Sequence, residues 1–119
     1  WNIPVQLTVQ VDSIGRGDAV IPSNVKRAVN LFQRDPGLVR GQPSIRAENA
    51  SHTQILANLQ HTYMFRDIDM SDYPRVTRGA MTLSHWKMDN DPMVWAEVEG
   101  FIRAEIVGWQ MERMTGVKQ

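Results

Sequence analysis

The sequence predicts an α/β fold in a single domain that spans residues 1–119. An alternating apolar run occupies residues 3–11, a second segment rich in β-branched residues occupies 25–33, and a long amphipathic stretch follows at 92–114. Strands that alternate with helical segments are typical of α/β proteins. A chain of 119 residues can bury one modest core but is too short for two domains.

The first predicted element is a β-strand. Its apolar residues recur at every second position from Ile3 to Val11, and polar residues or proline lie between them, which predicts a strand with one buried face. The clean alternation, together with Pro4, favours a position near the edge of a sheet. Asp12 and Ser13 then open a loop rich in glycine, aspartate and proline.

The segment VKRAVNLFQ fits two structures. Its apolar residues have helical spacing behind Ser23 as a possible cap, whereas its β-branched residues, its short length and the RDPG turn that follows indicate a strand. We favour the strand. Residues 36–51 are rich in turn formers and predict a loop.

The segment SHTQILANLQHTY predicts a short helix capped by Ser51. The apolar residues that share one face of this helix are Ile55, Leu56, Leu59 and Tyr63. Residues 64–79 mix acids, proline and few periodic apolar residues, so we expect them to run over the surface. AMTLS then predicts a brief strand that delivers His85.

The last element is a helix with clear signals at both ends. Asp91 can cap it, Pro92 suits its first position, and Gly116 suits its end. Asp89 and Asp91 are therefore expected to act as caps. One apolar stripe follows the helix through Val94, Val98, Phe101, Ile102, Ile106 and Trp109.

Charge and composition bear on the partners of the chain. Its 13 Lys and Arg residues balance 13 Asp and Glu residues, so no bulk field attracts nucleic acid or an anionic membrane. No run of about 18 apolar residues predicts a transmembrane segment, the N-terminus lacks the basic region of a secretion signal, and cysteine is absent. We expect no nucleic-acid partner, and the compartment stays open.

Taken alone, the two candidate site residues allow plain interpretations. Asp12 follows a predicted strand, where an aspartate usually bonds nearby backbone amides and forms a turn. His85 lies just before a cluster of turn residues and could be a solvated loop histidine or could bond a backbone carbonyl.

Four segments together resemble the C-terminal half of lipase-like α/β hydrolases of bacteria and their phages: VQLTVQVDS, PSNVKRAVNLFQ, GQPSIRAENASHTQILANL and SHWKMDNDPMVWAEVEGFI. In that family a strand ends in V-D-P, a segment like P-x-N-V-K-R-x-V-N-x-Y-Q follows, and a late H-x-x-I-D-D-N-P carries a histidine. The resemblance implies a partial three-layer α/β-hydrolase sheet with a long C-terminal helix. It places Asp12 as the acid and His85 as the histidine of a Ser-Asp-His triad.

The chain departs from this family in two ways. Ser13 replaces the usual proline, and the G-x-S-x-G nucleophile elbow is missing, for which GQPSI is no substitute. Trp1 also precedes the first predicted strand by only two residues, without a polar lead-in. We therefore expect a fragment or subunit of an esterase, inactive alone, whose serine comes from a missing N-terminal half or another protein chain.

The resemblance implies an ester or lipid substrate and no cofactor. The alternative is a catalytically silent structural or interaction module, such as an assembly subunit, derived from the same fold. In either case the strand edge of a partial sheet would be exposed, so we expect a protein partner or aggregation.

The remaining candidates favour structural roles. His52 and His61 lack a second ligand at helical spacing, so no zinc site is predicted. Asp67, Asp69 and Asp72 fail the calcium-loop pattern and indicate a solvated or capping cluster. Three of the four tryptophans, Trp86, Trp95 and Trp109, could line an acyl pocket near the site. The helical spacing of Trp95 and Trp109 favours the core for these two.

Overall fold

The computed structural model describes residues 2–72 and 82–116. Within these ranges the chain forms five strands and then two helices. In chain order they are β1 Val5–Val11, β2 Val20–Ile21, β3 Val25–Gln33, β4 Arg46–Ala47, β5 Gln54–His61, α1 Leu83–Asp89 and α2 Pro92–Thr115. The α/β class predicted from the sequence is confirmed at this level.

The main sheet has three parallel strands in the order β1-β3-β5. Val9 of β1 pairs with Val29, and Leu31 of β3 pairs with Leu59. Because all three strands run the same way, their carboxyl ends meet at one rim of the sheet. Asp12 follows β1 at that rim and Asp35 lies just beyond β3.

The strand predictions for β1 and β3 are confirmed, and β1 lies at the edge of the sheet as its alternation indicated. The strand β3 is central, and most of its residues are buried. Since β-branched and apolar side chains cover both of its faces, this segment lacks the simple alternation of an edge strand. The two-residue strands β2 and β4 form a separate parallel pair.

The helix predicted for SHTQILANLQHTY is wrong, because this segment forms strand β5. Ile55, Ala57 and Leu59 are half-buried and alternate with exposed neighbours, which is a period of two. The apolar residues at 55, 56 and 59 also satisfy helical spacing, so the pattern alone was ambiguous. Parallel pairing with β3 decides the outcome in the folded chain.

The brief strand predicted for AMTLS is also wrong where the structure describes it. Ala80 and Met81 lie outside the described residues, whereas Leu83 and Ser84 begin helix α1. His85 therefore lies in the first turn of a helix, and the buried side chain of Met88 anchors that helix to the core. An apolar run of this length does not distinguish a strand from the start of a helix.

Helix α2 begins and ends as predicted. The Asp91 carboxylate accepts a hydrogen bond from the Met93 amide, Pro92 occupies the first turn, and Gly116 ends the helix at φ 69°. Val94 and Val98 pack on the sheet in a core cluster with Val29, Leu31, Tyr63 and Met88. Ile21, Val25, Ala28 and Ile45 form a second cluster. Among the described helices, none has the length and apolar character needed to cross a membrane.

The core position favoured for two tryptophans is wrong. Trp95 is 47% exposed and Trp109 is 44% exposed. The predicted apolar stripe is continuous along the sequence, but of its residues only Val94, Val98 and Phe101 belong to or pack against the core cluster, and Ile102, Ile106 and Trp109 keep much of their surface in solvent.

Candidate active site

Asp12 ends strand β1 with its carboxylate turned inward. Its φ of 45° lies in the left-handed region, which aspartate and asparagine tolerate better than most residues. The side chain is 1% exposed. Its Oδ1 accepts a hydrogen bond of 3.0 Å from the Gln33 backbone amide, and its Oδ2 accepts one of 2.9 Å from Gln33 Nε2. These donors satisfy a buried charge that would otherwise be costly.

Gly41 leaves the space into which this carboxylate fits. Its amide donates to the Gln33 carbonyl at 3.2 Å, so the loop after β3 crosses directly over Asp12. A Cβ atom on Gly41 would overlap the Asp12 carboxylate and would lie 3.0 Å from the Asp12 Cα. Close packing of the loop therefore requires glycine at this position.

Ser13 closes the turn that follows Asp12. Its hydroxyl donates to the Asp18 carboxylate, which also accepts a hydrogen bond of 2.8 Å from the Gly15 amide. Hydrogen bonds of this kind stabilise a turn.

His85 lies opposite Asp12 although 73 residues separate the two in sequence. Its Nδ1 is 2.6 Å from Asp12 Oδ2. Because an ionised carboxylate can only accept a hydrogen bond, Nδ1 carries the proton and Nε2 keeps a lone pair when the ring is neutral. The imidazole is 17% exposed, and no described residue hydrogen-bonds Nε2.

The environment of His85 favours its protonated form. The hydrogen bond to Asp12 raises the pKa of His85, burial opposes that shift, and the negative charges of Asp12 and Asp89 add to it. Burial raises the pKa of the Asp89 carboxyl, against the opposing effect of the nearby His85 charge. The group at the rim is therefore an imidazole of increased basicity with one nitrogen held by a carboxylate.

Helix α1 is fastened at two points beside His85. The Ser84 hydroxyl donates to Asp35 Oδ2 at 2.8 Å. Lys87 Nζ donates to the Arg66 carbonyl at 2.8 Å and to the Tyr63 carbonyl at 3.3 Å. These contacts join the histidine-bearing helix to the ends of β3 and β5.

Asp91 does more than cap α2. It accepts hydrogen bonds of 2.7 Å from the Tyr63 hydroxyl and 2.7 Å from Arg66 Nη1, and it is fully buried. Burial opposes ionisation of Asp91, but these donors and the Met93 amide lower the pKa of its carboxyl. Burial and the bond to Asp91 raise the pKa of Tyr63. The aspartate thus links the α1–α2 junction to the segment after β5.

The structure brings Asp12 and His85 together, as the resemblance led us to expect, and their roles in catalysis stay a prediction. Sequence reasoning missed Gln33, which donates to Asp12, and Asp35, which is joined to the pair through Gln33 and Ser84. A usable signal was present, since Gln33 ends a strand parallel to β1 and Asp35 follows it, and such strand ends share one rim.

The other candidate residues do not join this site. His61 Nε2 lies 3.5 Å from Glu97 Oε1, away from His52, and among residues 2–72 and 82–116 no group of three potential ligands is placed to hold a metal ion. Asp69 accepts a hydrogen bond from the Ser71 amide, as a turn residue does.

Of the three tryptophans, only Trp86 contacts the histidine, with ring centroids 5.3 Å apart in an edge arrangement. Trp95 Nε1 donates to the Asp89 carbonyl at 2.6 Å. Trp109 lies beside Gln6, at the opposite end of β1 from Asp12. The suggested place for Trp109 in an acyl pocket near His85 is therefore wrong.

Comparison of the chain with protein-family models, with curated proteins and with solved structures finds no match. The site itself consists of a buried carboxylate, an imidazole and the polar groups that hold them.

Proposed function

We propose that Asp12 and His85 are the acid and the histidine of a serine hydrolase site that cleaves carboxylic esters. The observation that carries the proposal is the bond of 2.6 Å between Asp12 Oδ2 and His85 Nδ1, made by a carboxylate that is 1% exposed. A histidine held in this way presents Nε2 as a base, which is the arrangement that activates a serine.

The proposed reaction has two stages, and His85 transfers a proton in each. His85 Nε2 removes the proton of the serine hydroxyl as its oxygen attacks the ester carbonyl, and Asp12 stabilises the imidazolium that forms. His85 then donates that proton to the departing alcohol, which leaves an acyl-serine. Water attacks the acyl-serine while His85 again accepts a proton, and the carboxylic acid is released as the serine recovers its proton.

The serine and the oxyanion donors come from outside residues 1–119 in this proposal. None of the six serines of the chain lies in a G-x-S-x-G sequence, which holds the nucleophile on a strand-to-helix turn in α/β hydrolases. Loss of the nucleophile removes most of the catalytic power of such a site, so we expect the 119-residue chain alone to be inactive.

The test measures hydrolysis of p-nitrophenyl butyrate by the chain, alone and joined to any segment that its gene encodes upstream of Trp1. We expect activity in the joined protein only. Both His85→Ala and Asp12→Asn should lower its kcat on the order of 10⁴-fold. His52→Ala, which removes an exposed imidazole remote from the dyad, is the matched control. Equal rates for the joined protein and its His85→Ala variant, or no hydrolysis at all, would reject the proposal.

A second candidate function is a catalytically silent interaction module, and a different surface favours it. The outer edge of β1 has no strand neighbour among the described residues. Beside it, α2 and β1 line a groove whose apolar residues include Leu7, Val9, Ile102, Ile106 and Trp109 and whose polar residues are Gln6 and Glu105. Labelling of the joined protein with a fluorophosphonate separates the hydrolase from the interaction module. A serine that reacts only when His85 is present belongs to an enzyme.

A further inference from the structure

Asp35 is a second buried carboxylate near the rim, and it does not touch His85. Its Oδ1 accepts a hydrogen bond of 2.9 Å from Thr62 Oγ1. Its Oδ2 accepts bonds of 2.6 Å from the Tyr63 amide and 2.8 Å from Ser84 Oγ. A buried carboxylate needs several hydrogen-bond donors. The three donors to Asp35 come from two separate parts of the chain. Asp35 therefore joins the end of β5 to the start of α1.

Hydrogen bonds connect Asp35 to Asp12 as well. The Asp35 amide donates to Gln33 Oε1 at 3.0 Å, and Gln33 Nε2 donates to Asp12 Oδ2 at 2.9 Å. That same oxygen binds His85 Nδ1, and Ser84, which donates to Asp35, directly precedes His85. The path is a closed ring that passes through both partners of the dyad and returns through Asp35.

Helix α1 depends on such external contacts. It has seven residues, and no side-chain hydrogen bond made by the described residues caps its N-terminus. Helices of fewer than about 12 residues are marginal without tertiary contacts. Ser84 is the residue of the first turn whose side chain ties α1 to β3, whereas Lys87 ties its last turn to carbonyls that follow β5. The orientation of His85 is therefore sensitive to the bond between Ser84 and Asp35.

We propose that Asp35 is a positioning residue, which holds His85 in line with Asp12 through the Ser84 hydroxyl. The expected effect of Asp35 on catalysis rests on the proposed function, whereas the expected effect of Asp35 on the orientation of His85 does not. Ser84→Ala removes the bond and keeps a good helix former, so the chain should still fold. Ser84→Thr keeps a hydroxyl at this position and is the conservative variant. Thr62→Val removes a different donor to Asp35 and leaves the bond between α1 and Asp35 in place.

The experiment follows the His85 side chain of the full chain by ¹H–¹⁵N NMR. In Ser84→Ala we expect the pKa of His85 to fall and the exchange of its Nδ1 proton with water to rise roughly fivefold, as loss of one hydrogen bond predicts. Ser84→Thr should restore both values, and Thr62→Val should leave them as in the natural chain. A His85 that titrates and exchanges alike in Ser84→Ala and the natural chain would overturn the positioning role.

Activity gives a separate comparison in the joined protein. There Ser84→Ala should lower kcat roughly tenfold with KM unchanged, because a small displacement of the base affects the reacting geometry. If no ester is hydrolysed but the NMR shifts occur, the hydrolase proposal fails and the positioning role stands. If hydrolysis depends on His85 but Ser84→Ala changes neither measurement, the positioning role alone fails.

Discussion

Asp12 is a charged side chain with almost no contact with water. Neighbouring residues supply the hydrogen-bond donors that water would otherwise provide. Gln33 gives two donors to the carboxylate and His85 gives a third. A left-handed backbone conformation at Asp12 and the absence of a side chain at Gly41 make room for the carboxylate. Residues other than glycine that adopt the left-handed conformation occur preferentially at functional sites.

The role of Gly41 predicts a stability effect. Gly41→Ala places a methyl group on the Asp12 carboxylate, so we expect the free energy of unfolding to fall by about 1–3 kcal/mol. Gly100→Ala is the matched control, because nothing lies within 4 Å of a Cβ there and α2 should gain about 0.5–1 kcal/mol. Urea unfolding of both variants measures the difference. Equal stability of the two would show that the loop does not pack on Asp12.

The raised pKa of His85 predicts a pH dependence of stability. A group whose pKa is raised by folding stabilises the folded state fully below its unfolded pKa, near 6.5, and this contribution is lost as pH rises through the folded pKa. His85→Ala should therefore lower the free energy of unfolding more at about pH 6 than at about pH 9. A hydrogen bond to a charged group contributes about 1.5–3 kcal/mol when formed.

Urea titrations of the natural chain and of His85→Ala, at about pH 6 and about pH 9, test this dependence. His52→Ala removes an exposed histidine that has no carboxylate partner among the described residues and serves as the control. A cost of His85→Ala that is the same at both pH values, or larger at the higher one, would be incompatible with the raised pKa.

At the scale of secondary structure, elements with an unambiguous period were predictable. The alternation from Val5 to Val11 and the caps of α2 at Asp91 and Gly116 identified β1 and α2 correctly. Strand β5 was not predictable in the same way, because Ile55, Leu56 and Leu59 fit a helical face as well as a strand. Pairing with β3 resolves that ambiguity, and it is a contact between distant segments.

Only part of the candidate site was predictable, because some of its residues belong to sequence motifs and others depend on contacts between distant segments. Asp12 and His85 were found through sequence motifs, and their contact depends on β1 and α1 meeting at one rim. Gln33 and Asp35 carry no local motif. Their importance arises from the parallel arrangement of β1 and β3, which places the end of β3 beside Asp12.

At the scale of the whole molecule, the chain is elongated. Its radius of gyration is 16.4 Å and its extents are 52 × 27 × 24 Å, whereas a compact domain of this length has a radius of about 13.5 Å. From Ile102 onward, α2 leaves large apolar side chains exposed, including Ile102, Ile106, Trp109 and Met114. A surface of this kind, next to a strand edge that no described strand covers, is typical of an interaction site.

We therefore expect the chain to associate with itself through this surface. Sedimentation velocity over a range of concentrations should show species larger than a monomer. Ile106→Lys should weaken this association, because it places a charge in the apolar groove beside β1. Gln110→Lys adds the same charge at an exposed polar position of α2 and should have little effect. A monodisperse monomer at all concentrations would argue against an interface at this surface.

The protonation state of His85 tests the central claim most directly. Long-range ¹H–¹⁵N NMR across a pH titration should show the neutral ring protonated on Nδ1, with a pKa above the usual value of 6.5. Asp12→Asn should lower that pKa while keeping a residue that tolerates the left-handed backbone. A neutral ring protonated on Nε2, or a pKa that does not change in Asp12→Asn, would contradict the pairing of His85 with Asp12 as a catalytic base and its acid.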